Sequence, residues 1–364
     1  MQTEMTVRSR QAVLAVALSG MLLTAGCSGI LGSNGGGGGS GGAQLNSVPA
    51  DSTMVGYVDA SGMVSDDSLR ELANTAFQAQ SENSEFYSGP TSVEELLTQM
   101  ENESGLNPSN VQDVTFFAKT GEGAPTSTSE AGMIVRTDFS EDEVVSSMRD
   151  SGTELTEESY KDSTLYTYGF ENQNGIAFLG DGTFVLGDTA AVKSALDVEA
   201  GDADSLSGEL RTQFKNTDNG YVRFAASVPQ DQVPTEQLGQ GSPINTSAFN
   251  TVEYVSGSMD TSGDEVSTQV NLVSATSDDA SRISDVIDGA LSVYGGVGNE
   301  QIRKTLEQVE VSQDGDTVTV SFSDTVDNLK QRIEMLYSMS ASGSASGSNS
   351  ASASSESSMT APLA

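Results

Sequence analysis

Acidic side chains supply most of the chemistry this sequence offers. Asp66-Asp67, Glu141-Asp142-Glu143, Glu157-Glu158 and Asp278-Asp279 present paired carboxylates, the residue type that hydrolyses a glycosidic bond by general acid–base work. All but Glu157-Glu158 fall in the first turn of an expected helix, where negative charge complements the helix dipole. A structural role is therefore predicted for them. Sugar clefts also use aromatic platforms, and this chain has no Trp, 9 Tyr and 12 Phe in 364 residues. The stretch Asp197-Val198-Glu199-Ala200-Gly201-Asp202-Ala203-Asp204 carries four carboxylates, oxygen ligands of the kind calcium takes. It lacks the EF-hand spacing of alternating acids, so a solvated loop is predicted, with no metal and no cofactor. Tyr166, Tyr168 and Phe170 alternate along one expected strand and share a sheet face. They read as core under helices rather than as a ligand platform. The absence of His excludes Ser-His-Asp, Cys-His and His-ligated zinc chemistry together. A single Cys excludes an intrachain disulfide framework. With no S-x-x-K motif or P-loop either, the chain is expected to have no catalytic residues and not to be an enzyme.

The charge balance narrows the setting. Lys and Arg total 16 against 52 Asp and Glu, a formal net charge of -36. Nucleic-acid binding needs a basic face to neutralise phosphates, so no nucleic-acid partner is expected. A folded body so charged repels itself at low ionic strength. In molar salt the Debye length falls to about 3 Å and most of that penalty disappears. Hydrophobic residues, 36% of the chain, fall in periodic runs, which argues for a folded body rather than an acidic disordered one.

The N-terminus carries the most specific motif. Arg8 and Arg10 form a short basic region, followed by the apolar stretch Ala12 to Ala25 and then Gly26-Cys27-Ser28-Gly29. Fourteen helical residues reach about 21 Å, short of the roughly 30 Å hydrocarbon core, and the pattern is that of a secretory signal. Leu23-Thr24-Ala25-Gly26-Cys27 resembles the lipobox of prokaryotic lipoproteins, and the charge with few Lys resembles the proteins of extreme halophiles. Together the chain resembles a haloarchaeal lipobox-type, Cys-anchored lipoprotein of unknown function. That resemblance implies cleavage before Cys27, lipid attachment to its thiol and a place on the extracellular side of the cell membrane. Arg8 and Arg10 are separated by Ser9, which departs from a twin-arginine signal and favours the general secretory route. Residues 1–26 hold Glu4 against Arg8 and Arg10, a net +1, so cleavage leaves a mature charge of -37. The Gly-rich run that follows is a flexible tether of about 20 Å r.m.s. reach. Asn102-Glu103-Ser104 and Asn245-Thr246-Ser247 are N-glycosylation sequons, making Asn102 and Asn245 possible acceptors.

Strands and amphipathic helices alternate between these ends. Met54 to Val58 reads as a strand, with helices through Leu69–Phe77 and Val93–Met100, the latter capped by Thr91 and Glu94. Val114–Lys119 and Gly132–Phe139 follow as strands, then a helix capped by Ser140 and Glu143. Leu165–Phe170, Gly175–Leu179 and Thr183–Leu186 are strands, the last two joined by Gly180-Asp181-Gly182. Asp188 is expected to cap a helix. Val252–Met259, Val266–Ser274, a helix begun by Ser277, strands about Asp314-Gly315-Asp316 and a helix begun by Asp324 repeat that order. Landmarks recur at near-constant offset: Phe116 with Tyr254, Ser140 with Ser277, Asp188-Thr189 with Asp324-Thr325. A duplicated module is expected. The fold class is α+β, two related modules of antiparallel sheet with helices packed on one face. The divisions are a signal peptide at 1–26, a lipid-anchored linker at 27–44, modules at 45–215 and 216–339, and a disordered Ser-rich tail at 340–364. The expected function is that of a membrane-anchored, extracytoplasmic binding or interaction protein of the cell envelope in high salt. Its partners are the membrane, through the lipid on Cys27, and an envelope protein or transporter. The alternatives are a solute-binding lipoprotein with a cleft between the two modules, serving a transporter, and a hydrolase using carboxylates alone. In dilute buffer the body is expected to lose its far-ultraviolet helical signal and to regain it in molar KCl; full structure without salt contradicts the charge argument.

Overall fold

The computed structural model describes residues 44–82, 87–120, 128–229, 246–297 and 300–346. Twelve strands form a single antiparallel sheet. Strand β1 (Met54–Val58) leads into three helices, α1 (Ala60–Ser65), α2 (Asp67–Glu82) and α3 (Val93–Ser104). Then come β2 (Val111–Thr120), β3 (Thr128–Thr137), α4 (Glu141–Asp150) and four strands, β4 (Thr156–Tyr160), β5 (Ser163–Tyr168), β6 (Asn174–Gly180) and β7 (Thr183–Asp188). Helices α5 (Thr189–Glu199) and α6 (Gly208–Asn216) precede β8 (Val222–Ser227), β9 (Val252–Ser262) and β10 (Glu265–Ser274). Helices α7 (Ser277–Val297) and α8 (Glu300–Leu306), strands β11 (Val309–Asp314) and β12 (Thr317–Thr325), and α9 (Val326–Ser346) complete the chain. The strand order is β11-β12-β10-β9-β8-β1-β2-β3-β7-β6-β5-β4. The α+β class with an antiparallel sheet is as the sequence indicates. From each half's outer strands inward, the order β6-β7-β3-β2-β1 matches β11-β12-β10-β9-β8, and the hairpin β4–β5 extends the first half alone.

The halves meet strand to strand. β1 pairs with β8 from Met54↔Ala226 to Val58↔Val222 and with β2 on its other side. Across this seam Phe116, Gly56, Phe224 and Gly257 stand opposite one another in one row over four strands. A Cβ on Gly56 would lie 1.8 Å from Cζ of Phe116, and one on Gly257 would lie 2.8 Å from Cε1 of Phe224. Each ring therefore covers a glycine on the adjacent strand, a cross-strand pairing in which the aromatic shields the bare backbone.

Burial differs between the halves, and one expectation changes here. Ile134 and Val135 are neighbours on β3, and both are fully buried. Successive strand residues point to opposite faces, so they belong to separate cores. Ile134 packs with Val55, Tyr57, Phe117, Val185 and the apolar sides of α5 and α6. Val135 packs with Val114, Phe184, Leu186 and with Val144, Val145 and Met148 of α4. Helices thus cover both faces of the first half rather than one. The physical reason is written in β1, β6, β7 and the Ala131–Val135 stretch of β3, whose apolar and glycine residues run nearly without interruption, the pattern of strands buried on both sides. The second half keeps the alternation. Val252, Ala280, Ile283 and Val318 form its core, while Ser256, Ser258 and Asp260 of β9 point the other way.

Helix ends obey local chemistry with small shifts in register. Ser140 and Glu143 make the expected capping box on α4. On α3 the cap is Ser92, which accepts from Glu95 N, and Glu95 in turn accepts from the Thr91 backbone and hydroxyl. This is one residue later than expected, because the Thr91–Glu95 contact ties down the preceding turn instead. Asp188 precedes α5 without capping it; its Oδ2 accepts from Ala131 N on the neighbouring strand. Thr276, not Ser277, accepts from Asp279 N at the start of α7, and Thr325, not Asp324, accepts from Asn328 N at the start of α9. Gly56→Val should destabilise the fold by about 1–3 kcal/mol through overpacking against Phe116, read as a lower urea midpoint in molar salt. Adding Phe116→Ala should recover part of that loss.

Candidate functional site

The insertion between β1 and β2 builds a cleft of about 440 Å³. Helix α2 lends it Arg70 and Asn74, α3 lends Glu94, Thr98 and Glu101, and the turn after α3 lends Asn107. Glu94, Thr98 and Glu101 share a wall because residues four and seven apart lie on one helix face. Two contacts hold the walls in place. Asn74 Oδ1 accepts from Val93 N at 2.8 Å, tying α2 to α3, and Arg70 pairs with Asp67 at 2.5 Å within α2. The lining mixes one cation, two carboxylates and neutral amides and hydroxyls with the apolar Val64, Val93, Leu97 and Pro108, which suits a partner that combines hydrogen-bonding groups with apolar surface.

A second polar assembly is buried beneath α6. Asp113 on β2, 1% exposed, pairs with Arg136 directly across on β3. Burial pushes the Asp113 carboxyl above the ordinary range, with Arg136 opposing that rise. Tyr57 on β1 is pushed up as well, first by burial and then by the nearby Asp113 and Asp59 charges. Arg223 on β8 stands opposite Tyr57; it stacks on Phe214 and donates to Phe214 O and Thr217 Oγ1, both at 3.0 Å. Burial lowers its guanidinium. Buried pairs of this type contribute little net stability, yet removing one partner strands the other. The arrangement holds the α6–β8 corner in register.

The residues singled out in the sequence meet varied ends. Asp66 accepts from Leu69 N at the start of α2 and from the hydroxyls of Tyr221 and Thr261. Glu143 caps α4, Glu141 accepts from Tyr166, Glu157 pairs with Arg149 and Glu158 with Lys193, and Asp279 pairs with Arg282. Each acidic pair is thus held by structural contacts. In the 197–204 stretch Asp197 and Asp202 converge on Lys161, Asp197 also accepts from Tyr160, and Glu199 accepts from Ser47. Among the described residues no cluster of three or more metal-ligating side chains occurs. Tyr166 is buried and Tyr168 half-buried against α4, as expected of core. Phe170 departs from that expectation. It lies beyond the end of β5, 77% exposed, because Gly169 at φ 83° turns the chain out of the sheet. Asn102 is exposed on α3, and Ser104 of its sequon donates to Met100 O. Cys27 and Asn245 lie outside the described residues. The cleft itself was not anticipated from the sequence; the polar i, i+4, i+7 run of Glu94, Thr98 and Glu101 is the one signal that pointed to it.

No family model matches the chain, and no curated protein does. Among solved structures it resembles crystal forms of the treponemal protein TP0453. Form III aligns with a TM-score of 0.44 and 10% identity over 82% of this chain and 100% of that one. Form I gives 0.41 and 11% over 82% and 100%. So weak a likeness assigns no function.

The Tyr166 hydroxyl is pushed up to about 12 by burial and by its bond to Glu141. The native state thus favours its neutral form. The stability it contributes is complete below the ordinary tyrosine value of 10.0 and is lost as pH rises from there toward 12. Tyr166→Phe should flatten the fall of Tm across that alkaline window, measured by thermal melts at fixed salt.

Proposed function

We propose that this chain is a membrane-tethered, non-catalytic binding protein of the cell envelope, anchored through lipid on Cys27 and exposed on the extracellular side. The observation that carries this reading is the continuous sheet. β1 and β8 pair directly, so the two halves form one rigid platform, and the recognition surface is the α2–α3 cleft on its first half. A solute-binding lipoprotein closes two bodies about a hinge. Here the halves are joined by five paired positions at the seam, and the cleft is walled by residues 64–109 of one half. The carboxylate pairs that a hydrolase would employ are occupied with caps and ion pairs, which supports the binding reading over a catalytic one. No helix among the described residues is long and apolar enough to cross a membrane; in this reading the lipid on Cys27 supplies the attachment. The offset landmarks and the matching strand order support duplication of one module.

In-cell crosslinking at native salt, followed by capture through a C-terminal tag, tests the reading. A reproducible envelope partner is expected with wild type and should be lost from both Cys27→Ser and Asn74→Leu, the latter removing the amide that ties α2 to α3. Cys27→Ser should also move the protein from the membrane fraction to the medium. Retention of that variant with the cells, or turnover of a substrate by the purified body, overturns the proposal.

A further inference from the structure

Strands β9, β10 and β12 share a run of three polar rows on one face. Ser256, Ser258 and Asp260 of β9 stand opposite Asn271, Gln269 and Ser267 of β10, which stand opposite Thr319, Ser321 and Ser323 of β12. Part of this lattice satisfies itself, since Gln269 Nε2 and Thr319 Oγ1 both donate to Asn271 Oδ1. The row at the hairpin end does not. Asp260 is 3% exposed and Ser267 is 0% exposed, yet neither carboxylate oxygen of Asp260 nor the hydroxyl of Ser267 has a hydrogen-bond partner among the described residues. The two are direct cross-strand partners, so their Cβ atoms stand about 5 Å apart on one face. A buried carboxylate without a counter-charge is expensive.

The surroundings define what would relieve it. The chain between α6 and β8 roofs the position: a Cβ on Gly220 would lie 2.4 Å from Met259 O and 3.3 Å from Asp260 Cβ. The cation on the neighbouring strand, Arg223, is committed to Phe214 O and Thr217 Oγ1. Beyond Ser267 the row continues to Ser323, whose hydroxyl donates to Glu265 at the exposed rim. Every polar group offered is an oxygen, which selects a hard cation. One buried carboxylate with hydroxyls falls short of the several carboxylates a calcium site assembles. We infer that Asp260 and Ser267 bind a monovalent alkali cation, sodium or potassium, beneath the α6–β8 connection, with Glu265 drawing the ion in at the rim. The ion would make the second half's fold depend on a specific cation, separately from the general screening of its charge.

Thermal melts of the full chain test this, with NaCl or KCl titrated against tetramethylammonium chloride at constant molar ionic strength. Wild type is expected to show a saturable rise in Tm of about 5 °C as the alkali ion replaces the bulky one. Asp260→Asn should abolish the saturable part while keeping the bulk salt response, and Ser267→Ala should move its midpoint to higher ion concentration. An equal saturable rise in Asp260→Asn overturns the proposal. If neither variant folds, wild type alone decides, because a melt indifferent to the identity of the cation also overturns it. A rise driven by micromolar CaCl2 and reversed by chelation would assign a divalent ion and overturn the monovalent site.

Discussion

The pairing of β1 with β8 is the constraint on which the rest of the molecule depends. An antiparallel half-sheet ending at β1 and another ending at β8 would each expose a free edge of unpaired backbone groups. Joined, they share one ladder, and β1 becomes a central strand with Val55 fully buried. The row of Phe116, Gly56, Phe224 and Gly257 makes that junction close. Bulk on either glycine would push a ring aside and open the seam where the halves are held in register.

The sheet is continuous, and α9 of the second half also packs against α2 of the first; the helices that cover each half otherwise differ. In the first half α4 lies on one face and α5 with α6 on the other. In the second half α7 closes the apolar face, leaving the polar rows of β9, β10 and β12 on the other. Helix α6 links these regimes. It belongs to the first half's core through Leu210 and Phe214, and its C-terminal end supplies Phe214 O and Thr217 Oγ1 to Arg223 of β8. The few cations of the chain are used in this economical way. Lys161 serves Asp197 and Asp202, and Lys330 ties α9 to α2 through Glu71.

Much of the architecture was legible locally. Alternation placed the strands, and Ser140 with Glu143 announced the start of α4, because capping depends on residues three apart and on nothing remote. The hairpins at Asp181-Gly182 and Gly315 were readable for the same reason, with φ of 47°, 70° and 58° at those residues. Strand β4 was not legible: Thr156-Glu157-Glu158-Ser159 is exposed and polar, so it carries no burial pattern and is a strand only because β5 pairs with it. Helix α6 was missed too, since its two buried residues, Leu210 and Phe214, give one helical contact and a glycine opens it.

The sequence by itself determined composition-level facts: an acidic surface, no histidine chemistry, an α+β succession, and the caps and turns that begin and end its elements. These follow from charge counts and from interactions within a few residues. Only the tertiary structure decided that the two halves share one sheet, that Ile134 and Val135 serve opposite cores, and that Asp260 and Ser267 face each other in a buried row. Those facts depend on which strands become neighbours and which faces the helices reach. Such choices are settled by burial between segments far apart in the chain, and no local pattern of residues encodes them.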